Sequence, residues 1–320
     1  MSETVALIPD RTQRSTDTSA VDAFAATAAD RFDDAVIARG AGPAASGVRR
    51  VPAVWRRPLV VVSLAWLVIV VVAAAWPTLL APGDPLGGTP ADNLQPPSGA
   101  HWFGTDQLGR DLYTRVVHGT ALTVSAAAIA VGVGVVAGSV IGLISGFVGG
   151  RTDAVLMRVA DVLLAIPGLL LSLAIITALG FGTVNVAIAV GIASVASVAR
   201  VLRSEVLRVR TAPYIEAARA SGNGWTSVLL RHVLPNSIAP VVVLAVLEFG
   251  TAILAVSALS FLGYGAPPPA PEWGALVSGG RDYLRTAWWL TALPGLTIAV
   301  TVLAANRLSR GLDGEGRARR

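Results

Sequence analysis

Long apolar runs separated by short polar segments dominate the chain between residues 58 and 308. A helix needs about 20 apolar residues to cross the hydrocarbon core of a membrane. The runs predict six transmembrane helices, over residues 58–80, 121–148, 159–179, 184–199, 238–262 and 288–308. The third run contains Pro167-Gly168, and the fourth is short enough to extend by a turn at either end. The tight turn at 180–183 predicts that the third and fourth helices are antiparallel neighbours.

Glycines recur at every fourth position of the second predicted helix, at Gly134, Gly138, Gly142 and Gly146. Residues four apart lie on one face of a helix, and glycine lets a neighbouring helix approach closely. This face therefore predicts tight helix packing, which is a structural role and not a site.

Composition supports a membrane protein. Hydrophobic residues make up 53% of the chain and charged residues 14%, against about 25% charged in ordinary globular proteins. A soluble domain of this length could not bury so much apolar surface. The chain has no cysteine, which excludes disulfides, thiol catalysis and cysteine-ligated metals. We therefore expect an all-α integral membrane protein.

Basic residues are distributed unevenly around the predicted spans, and all 25 of them are arginine. Eight arginines precede the first span, six lie in 200–231 and five follow from residue 307. The segments on the opposite side carry only two each. Positive residues favour the cytoplasmic side, so both termini and the 200–231 segment are predicted to be cytoplasmic. Because the arginines cluster beside spans, orientation explains the high pI better than nucleic-acid binding.

The first 55 residues differ from the rest of the chain. They are rich in Ser, Thr and Asp near the start and lack the apolar core of a signal peptide. Helical spacing over 21–37 is compatible either with a weak interfacial helix or with a transient one. The sequence thus predicts a largely disordered tail over 1–55, a six-helix domain over 56–312 and a short basic tail over 313–320.

A polar, arginine-rich island lies between the fourth and fifth spans. The pattern predicts a short helix around Glu216, a glycine break at Gly222 and Gly224 with positive φ, and a second helix over 225–232. Pro235 is predicted to end that second helix. A small helix–turn–helix between membrane spans has a shape suited to a groove on a partner protein.

At this point the chain resembles a known family. Glu216-Ala217-Ala218, Gly222 and Leu234-Pro235 have the order and spacing of the cytoplasmic "EAA" loop of bacterial ABC importer permeases. Three further stretches, at 101–111, 259–263 and 267–274, are similar to the C-type permeases of dipeptide, oligopeptide and nickel importers. The resemblance covers roughly residues 55–312.

The resemblance implies a type I ABC importer-like fold in a bacterial cytoplasmic membrane, paired with a homologous permease subunit. It also implies ABC ATPase subunits or domains that bind ATP and Mg²⁺, an extracytoplasmic substrate-binding protein and a peptide substrate. The chain itself would bind no cofactor and catalyse no reaction; without lysine it cannot form a lysine-containing phosphate-binding loop. The implied ATPase-coupling residues are Tyr214, Glu216, Ala217, Ala218, Gly222, His232, Leu234 and Pro235.

Two further sets of residues are candidate sites. Glu248 lies deep within a span, where a carboxylate is a functional candidate; it would line the translocation path or hydrogen-bond a neighbouring helix. On the opposite side, aromatic and charged residues mix in a segment that would contact the binding protein or anchor the chain at the interface. The residues of this second set are Trp102, Asp106, Arg110 and Asp111.

Two alternatives stay open. A nickel or other small-solute importer would use a similar permease, although this chain has few metal-ligand side chains. An ion-driven secondary transporter is the alternative from another class. Such transporters usually carry several paired intramembrane charges or inverted repeats, whereas here one acid and no visible repeat are found.

Overall fold

The computed structural model describes residues 58–318, with side chains described through Gly311. The predicted tail over 1–55 and its helix over 21–37 lie outside the described residues. The described part is helical and contains no strand beyond isolated bridges. The helices are α1 (Pro58–Ala75), α2 (Pro77–Leu80), α3 (Leu112–Val148), α4 (Gly150–Ala165), α5 (Gly168–Leu179), α6 (Thr183–Arg210), α7 (Pro213–Ala220), α8 (Trp225–Val228), α9 (Leu234–Ser237), α10 (Ala239–Phe261), α11 (Trp273–Gly280) and α12 (Trp289–Ala318).

Five of these helices, α1, α3, α6, α10 and α12, are long and apolar enough to cross a membrane. Helices α4 and α5 are long and apolar enough to cross a membrane only when they are taken together, and the chain bends by 97° at the break between them. The described chain therefore has five spans, or six if this bent pair counts as one. This agrees with the predicted fold class.

The third predicted span is not one continuous helix. Ile166 leaves the helix with φ −92° and ψ 128°, as expected for a residue before proline, because the proline ring disfavours the helical conformation there. Pro167 also has no backbone N–H to continue the ladder. The charged residues Arg151, Asp153, Arg158 and Asp161 all fall on α4, leaving α5 apolar.

Several boundaries also differ from the apolar runs. Helix α6 continues to Arg210 and α3 begins at Leu112, well beyond the runs that predicted them. Helix α12 continues to Ala318, so the predicted domain boundary at 312 falls inside a helix. Hydropathy marks the part of a helix that fits the hydrocarbon, and a helix can extend past it into water.

Close packing on the glycine face of α3 is confirmed, and α6 is the partner. A Cβ atom added at Gly142 would lie 2.4 Å from the carbonyl oxygen of Ala199, and one at Gly138 would lie 2.6 Å from the Cβ of Val198. Gly134 and Gly146 meet α6 in the same way. The two backbones therefore approach more closely than any other side chain would allow.

Helices α5 and α6 are neighbours, as the short turn predicted. Gly180 and Gly182 take φ of +89° and +125° in that turn. The Asn185 side chain donates to the carbonyl of Leu179 at 3.0 Å, and Ser172 reaches the carbonyl of Ala189 at 3.5 Å. The two helices therefore pack against each other on either side of this turn.

The largest apolar cluster joins residues of α1, α3, α5, α6, α10, α11 and α12. Trp273 at the start of α11 is fully buried in it, and its indole N–H donates to the carbonyl of Val116 at 2.9 Å. A second cluster surrounds the end of α6 and holds the loop that follows.

Candidate functional site

The candidate site is the segment from Pro213 to Ser237, called the 213–237 loop below. Pro213 occupies the first turn of α7, where its missing N–H costs nothing. The chain leaves α7 through Gly222, whose φ is +80° as predicted. Gly224 has φ −65°, so the prediction of a positive φ there was wrong. The Asn223 side chain caps the carbonyl of Ala218 at 3.0 Å, which holds the turn.

Pro235 does not end the second helix, contrary to the prediction. Helix α8 passes into a π-helical turn over Leu229–Val233, and α9 follows with Pro235 in its first turn. A π-helical turn widens the hydrogen-bond register by one residue. This accommodates a residue that has no N–H and whose ring would crowd the preceding turn. The proline is thus inside a continuous bent helical path.

Three apolar side chains fix the loop to the spans. Ile215, Val228 and Val233 are almost completely buried. They belong to a cluster whose other members come from the ends of three spanning helices, namely Phe147 of α3, Val198, Leu202, Val206 and Val209 of α6, and Val241 of α10. The loop is therefore packed directly against the ends of α3, α6 and α10.

The opposite face of the loop is exposed. Tyr214, Trp225 and Leu230 each leave about half of their side chains uncovered. Glu216 is also exposed, and within residues 58–311 its carboxylate makes no hydrogen bond or ion pair. On the same helix, Ile215 is buried and Ala218 is half-buried, whereas Tyr214 is exposed.

An arginine network fastens the helix ends beneath the loop. Arg203 of α6 forms two hydrogen bonds to Asp153 of α4, at 2.5 and 2.6 Å, and the Ser145 hydroxyl of α3 donates to the same carboxylate. Arg210 donates to the carbonyl of Gly146 at 2.7 Å. These contacts join α3, α4 and α6 at this end of the molecule.

The remaining loop residues play smaller parts in this geometry. His232 is half-buried, and its carbonyl accepts from the Asn236 side chain at 2.6 Å. Ala217 accepts at its carbonyl from the Ser221 hydroxyl at 2.9 Å. Leu234 is half-buried at the start of α9. Within the described residues, no group of His, Asp and Glu side chains is arranged to hold a metal ion.

The second candidate set lies just before α3. Its two carboxylates, Asp106 and Asp111, accept hydrogen bonds from nearby residues of the same segment. Asp106 is buried and accepts from the backbone N–H of Leu108 and from the guanidinium of Arg110, at 2.8 and 2.7 Å. Asp111 caps α3 by accepting from the backbone N–H of Thr114 at 2.8 Å. Trp102 is the member whose side chain is mostly exposed.

Glu272, at the start of α11, was missed by the sequence reasoning. Its side chain is fully buried; one carboxylate oxygen accepts from the Ser260 hydroxyl and from the N–H of Ala266, and the other has no partner in the described structure. Burial raises the pKa of Glu272, against the opposing effect of these hydrogen bonds. The available signal was an isolated acid in the proline-rich stretch 267–273, between two apolar segments.

Glu248 of α10 lies where α3, α5, α6 and α10 meet, at a cavity of about 180 Å³. The Ser197 hydroxyl of α6 is 3.4 Å from its carboxylate. Glu248 is half-buried, and it is not a member of the apolar cluster that holds the 213–237 loop.

Comparison with known proteins identifies the class to which these features belong. Residues 138–314, more than half of the chain, match the family described as binding-protein-dependent transport system inner membrane component. This match includes the whole 213–237 loop and Glu248. The chain belongs to this family of transporter permeases.

Curated relatives narrow the class further. The chain is 41% identical over 264 residues to the glutathione transport system permease protein GsiD of Pectobacterium atrosepticum, covering 81% of this chain and 87% of the relative. It is 39% identical over 257 residues to the dipeptide transport system permease protein DppC of Alkalihalophilus pseudofirmus, covering 80% and 84%. A solved amino acid ABC transporter chain aligns with 62% of this chain and 92% of its own length, at 18% identity and a TM-score of 0.49.

Proposed function

We propose that this chain is a permease subunit of an ATP-driven importer of di- and oligopeptides. The observation that carries the proposal is the identity of about 40% over four fifths of the chain to permeases named for dipeptide and glutathione transport. In this proposal a homologous permease subunit supplies the other half of the path. A substrate-binding protein delivers peptide from outside, and both termini of this chain are cytoplasmic.

The 213–237 loop is proposed to couple ATP hydrolysis to transport. Its exposed face offers Tyr214, Glu216 and Trp225 to a partner, and a carboxylate is well suited to an arginine there. Its other face is anchored by Ile215 in the cluster at the ends of α3 and α6. Closure of ATPase subunits, which would hold ATP and Mg²⁺, would push the loop and tilt these helices between two packed arrangements.

The opposite end of the chain is proposed to face the binding protein. Trp102 leaves about two thirds of its side chain exposed, and tryptophan is enriched in protein interfaces. Asp106, Arg110 and Asp111 would then act mainly by holding the segment that presents this side chain, because their own polar groups are used internally.

Uptake by the reconstituted complex tests the substrate. The complete importer, with its partner subunits and binding protein, is placed in proteoliposomes and offered a labelled dipeptide or a labelled nickel chelate. The proposal requires ATP-dependent uptake of the dipeptide. Uptake of the chelate without any uptake of peptide would instead support a metal importer.

A charge reversal tests the coupling role. Glu216→Arg should release the ATPase subunits or abolish ATP-dependent uptake while the permease pair still assembles, because the reversed charge opposes an arginine on the partner. The matched control is Asp282→Arg, another exposed acid, which lies between α11 and α12. Normal uptake by the Glu216→Arg complex would refute the coupling role of this carboxylate.

A further inference from the structure

Glu248 lies at a cavity whose polar lining is made of hydroxyl groups. Four helices surround the cavity, and its volume is about 180 Å³. Besides Glu248, the polar side chains that line it are Ser172, Ser194, Ser197 and Thr251.

The carboxylate has no positive partner within residues 58–311. The neighbouring arginines of α6 are paired with other acids, Arg200 with Asp161 and Arg203 with Asp153. The Ser197 hydroxyl is 3.4 Å from the carboxylate but donates at 2.8 Å to the carbonyl of Ser194. A hydroxyl has a single proton, so the shorter bond takes it and Glu248 remains without a good donor.

The lining hydroxyls are likewise arranged as acceptors. Ser194 donates to the carbonyl of Gly191 at 2.9 Å, and Thr251 donates to the carbonyl of Leu247 at 3.3 Å. When the proton of a helical hydroxyl is used by its own helix, its lone pairs remain for a ligand. The cavity thus combines one carboxylate with several acceptors and offers no competing donor among these side chains.

An ammonium group has the complementary chemistry, with one positive charge, three donors and no acceptor. Pockets that enclose a whole drug-sized ligand measure about 300–1,000 Å³, so this cavity is suited to one end of a peptide. An unpaired carboxylate inside a membrane is costly, and residues of this kind usually have a function. A passing cation would supply the missing positive partner.

We propose that Glu248, with the hydroxyls of Ser194, Ser197 and Thr251, forms an intramembrane subsite for the α-ammonium group of a peptide in transit. The proposal rests on the proposed function of the chain as a peptide permease. The subsite would contact the amino end during passage and leave the carboxyl end and side chains free, which suits a path for varied peptides.

Uptake of two matched substrates tests the subsite. Alanyl-alanine carries the ammonium group, and propionyl-alanine has the same carbon skeleton without it. Each substrate is supplied at a concentration that saturates the binding protein, as established by a separate binding measurement. The comparison then reports passage through the permease and not delivery by the binding protein. In the complete importer, Glu248→Gln should lower the maximal uptake of alanyl-alanine about tenfold, as expected for loss of a charged hydrogen bond.

Three accompanying results are expected. Uptake of propionyl-alanine should change less than twofold in Glu248→Gln, and Glu248→Asp should restore most alanyl-alanine uptake. The half-saturating peptide concentration should stay unchanged, because the binding protein sets it. The matched control is Thr177→Val, an exposed hydroxyl residue of α5 outside the cavity, which should transport both substrates normally.

The failures are distinguishable. If the wild-type importer takes up no dipeptide, the proposed function fails and the subsite fails with it. If it does and Glu248→Gln transports alanyl-alanine normally, or loses both substrates equally, only the subsite is refuted. Should Glu248→Gln not co-purify with its partner subunits, the double variant Ser194→Ala/Ser197→Ala takes its place, and an equal effect on both substrates overturns the proposal.

Discussion

Gly222 is the residue of the 213–237 loop whose backbone geometry can be tested most cleanly. Its φ of +80° lies in the region that β-branched side chains avoid. A Cβ atom added there would meet no atom within 4 Å. The cost of Gly222→Val is therefore backbone strain alone, about 1–3 kcal/mol.

Gly224 provides a matched control two residues away. A Cβ atom added there also meets nothing within 4 Å, but its φ of −65° suits any residue. Gly224→Val should leave the loop intact. Gly222→Asn should be tolerated better than Gly222→Val, because asparagine visits positive φ at lower cost.

The strain acts on the equilibrium between the docked loop and distorted forms of it. A penalty of about 1–3 kcal/mol lowers the ratio of docked to distorted loop about 5- to 150-fold. We expect Gly222→Val to lower the peptide transported per ATP hydrolysed in proteoliposomes, with the thermal unfolding of the spans unchanged. Equal coupling in the Gly222→Val and Gly224→Val complexes would refute the argument that this turn needs glycine.

Three further outcomes are expected. Gly142→Ala should lower the thermal unfolding temperature of the purified permease because its Cβ would clash with the α6 backbone, whereas Gly132→Ala, with open space around it, should not; equal values would contradict the packing account. In this cysteine-free chain, Ser98→Cys should react with an impermeant thiol reagent in intact cells while Ser221→Cys should not; both sites are exposed, so labelling at residue 221 would reverse the assigned orientation. The pKa of Glu272 is raised above its ordinary value of 4.5, so the free energy of unfolding should fall as the pH rises from about 4.5 through the raised pKa. Glu272→Gln should remove this fall. An unchanged pH profile of unfolding in Glu272→Gln would count against the role assigned to this buried carboxyl group.

The Ser309 side chain illustrates how burial limits a labelling experiment. It is buried, and its hydroxyl donates to the carbonyl of Val243 at 3.1 Å. A cysteine at 309 would be protected on either side of the membrane. For this reason Ser221, which is exposed, is the informative position on the predicted cytoplasmic side.

The sequence by itself determined the class of fold and the position of the loop. Apolar runs of about 20 residues have few alternatives to spanning helices, because a bilayer leaves no water for backbone groups. Glycines at intervals of four predicted the close contact along α3, and Gly222 predicted the turn after α7. These features depend on residues that are close together in the sequence, so the sequence alone could predict them.

Only the tertiary structure decided where helices end and which side chains meet. Hydropathy could not show that α6 continues to Arg210, since its last turns are held by Arg203 and Asp153, which lie 50 residues apart. Nor could hydropathy show that Asp106 is buried, or that one carboxylate oxygen of Glu272 has no hydrogen-bond partner in the described structure. Burial and pairing depend on segments distant in the chain, and the cavity at Glu248 exists only because four helices meet there.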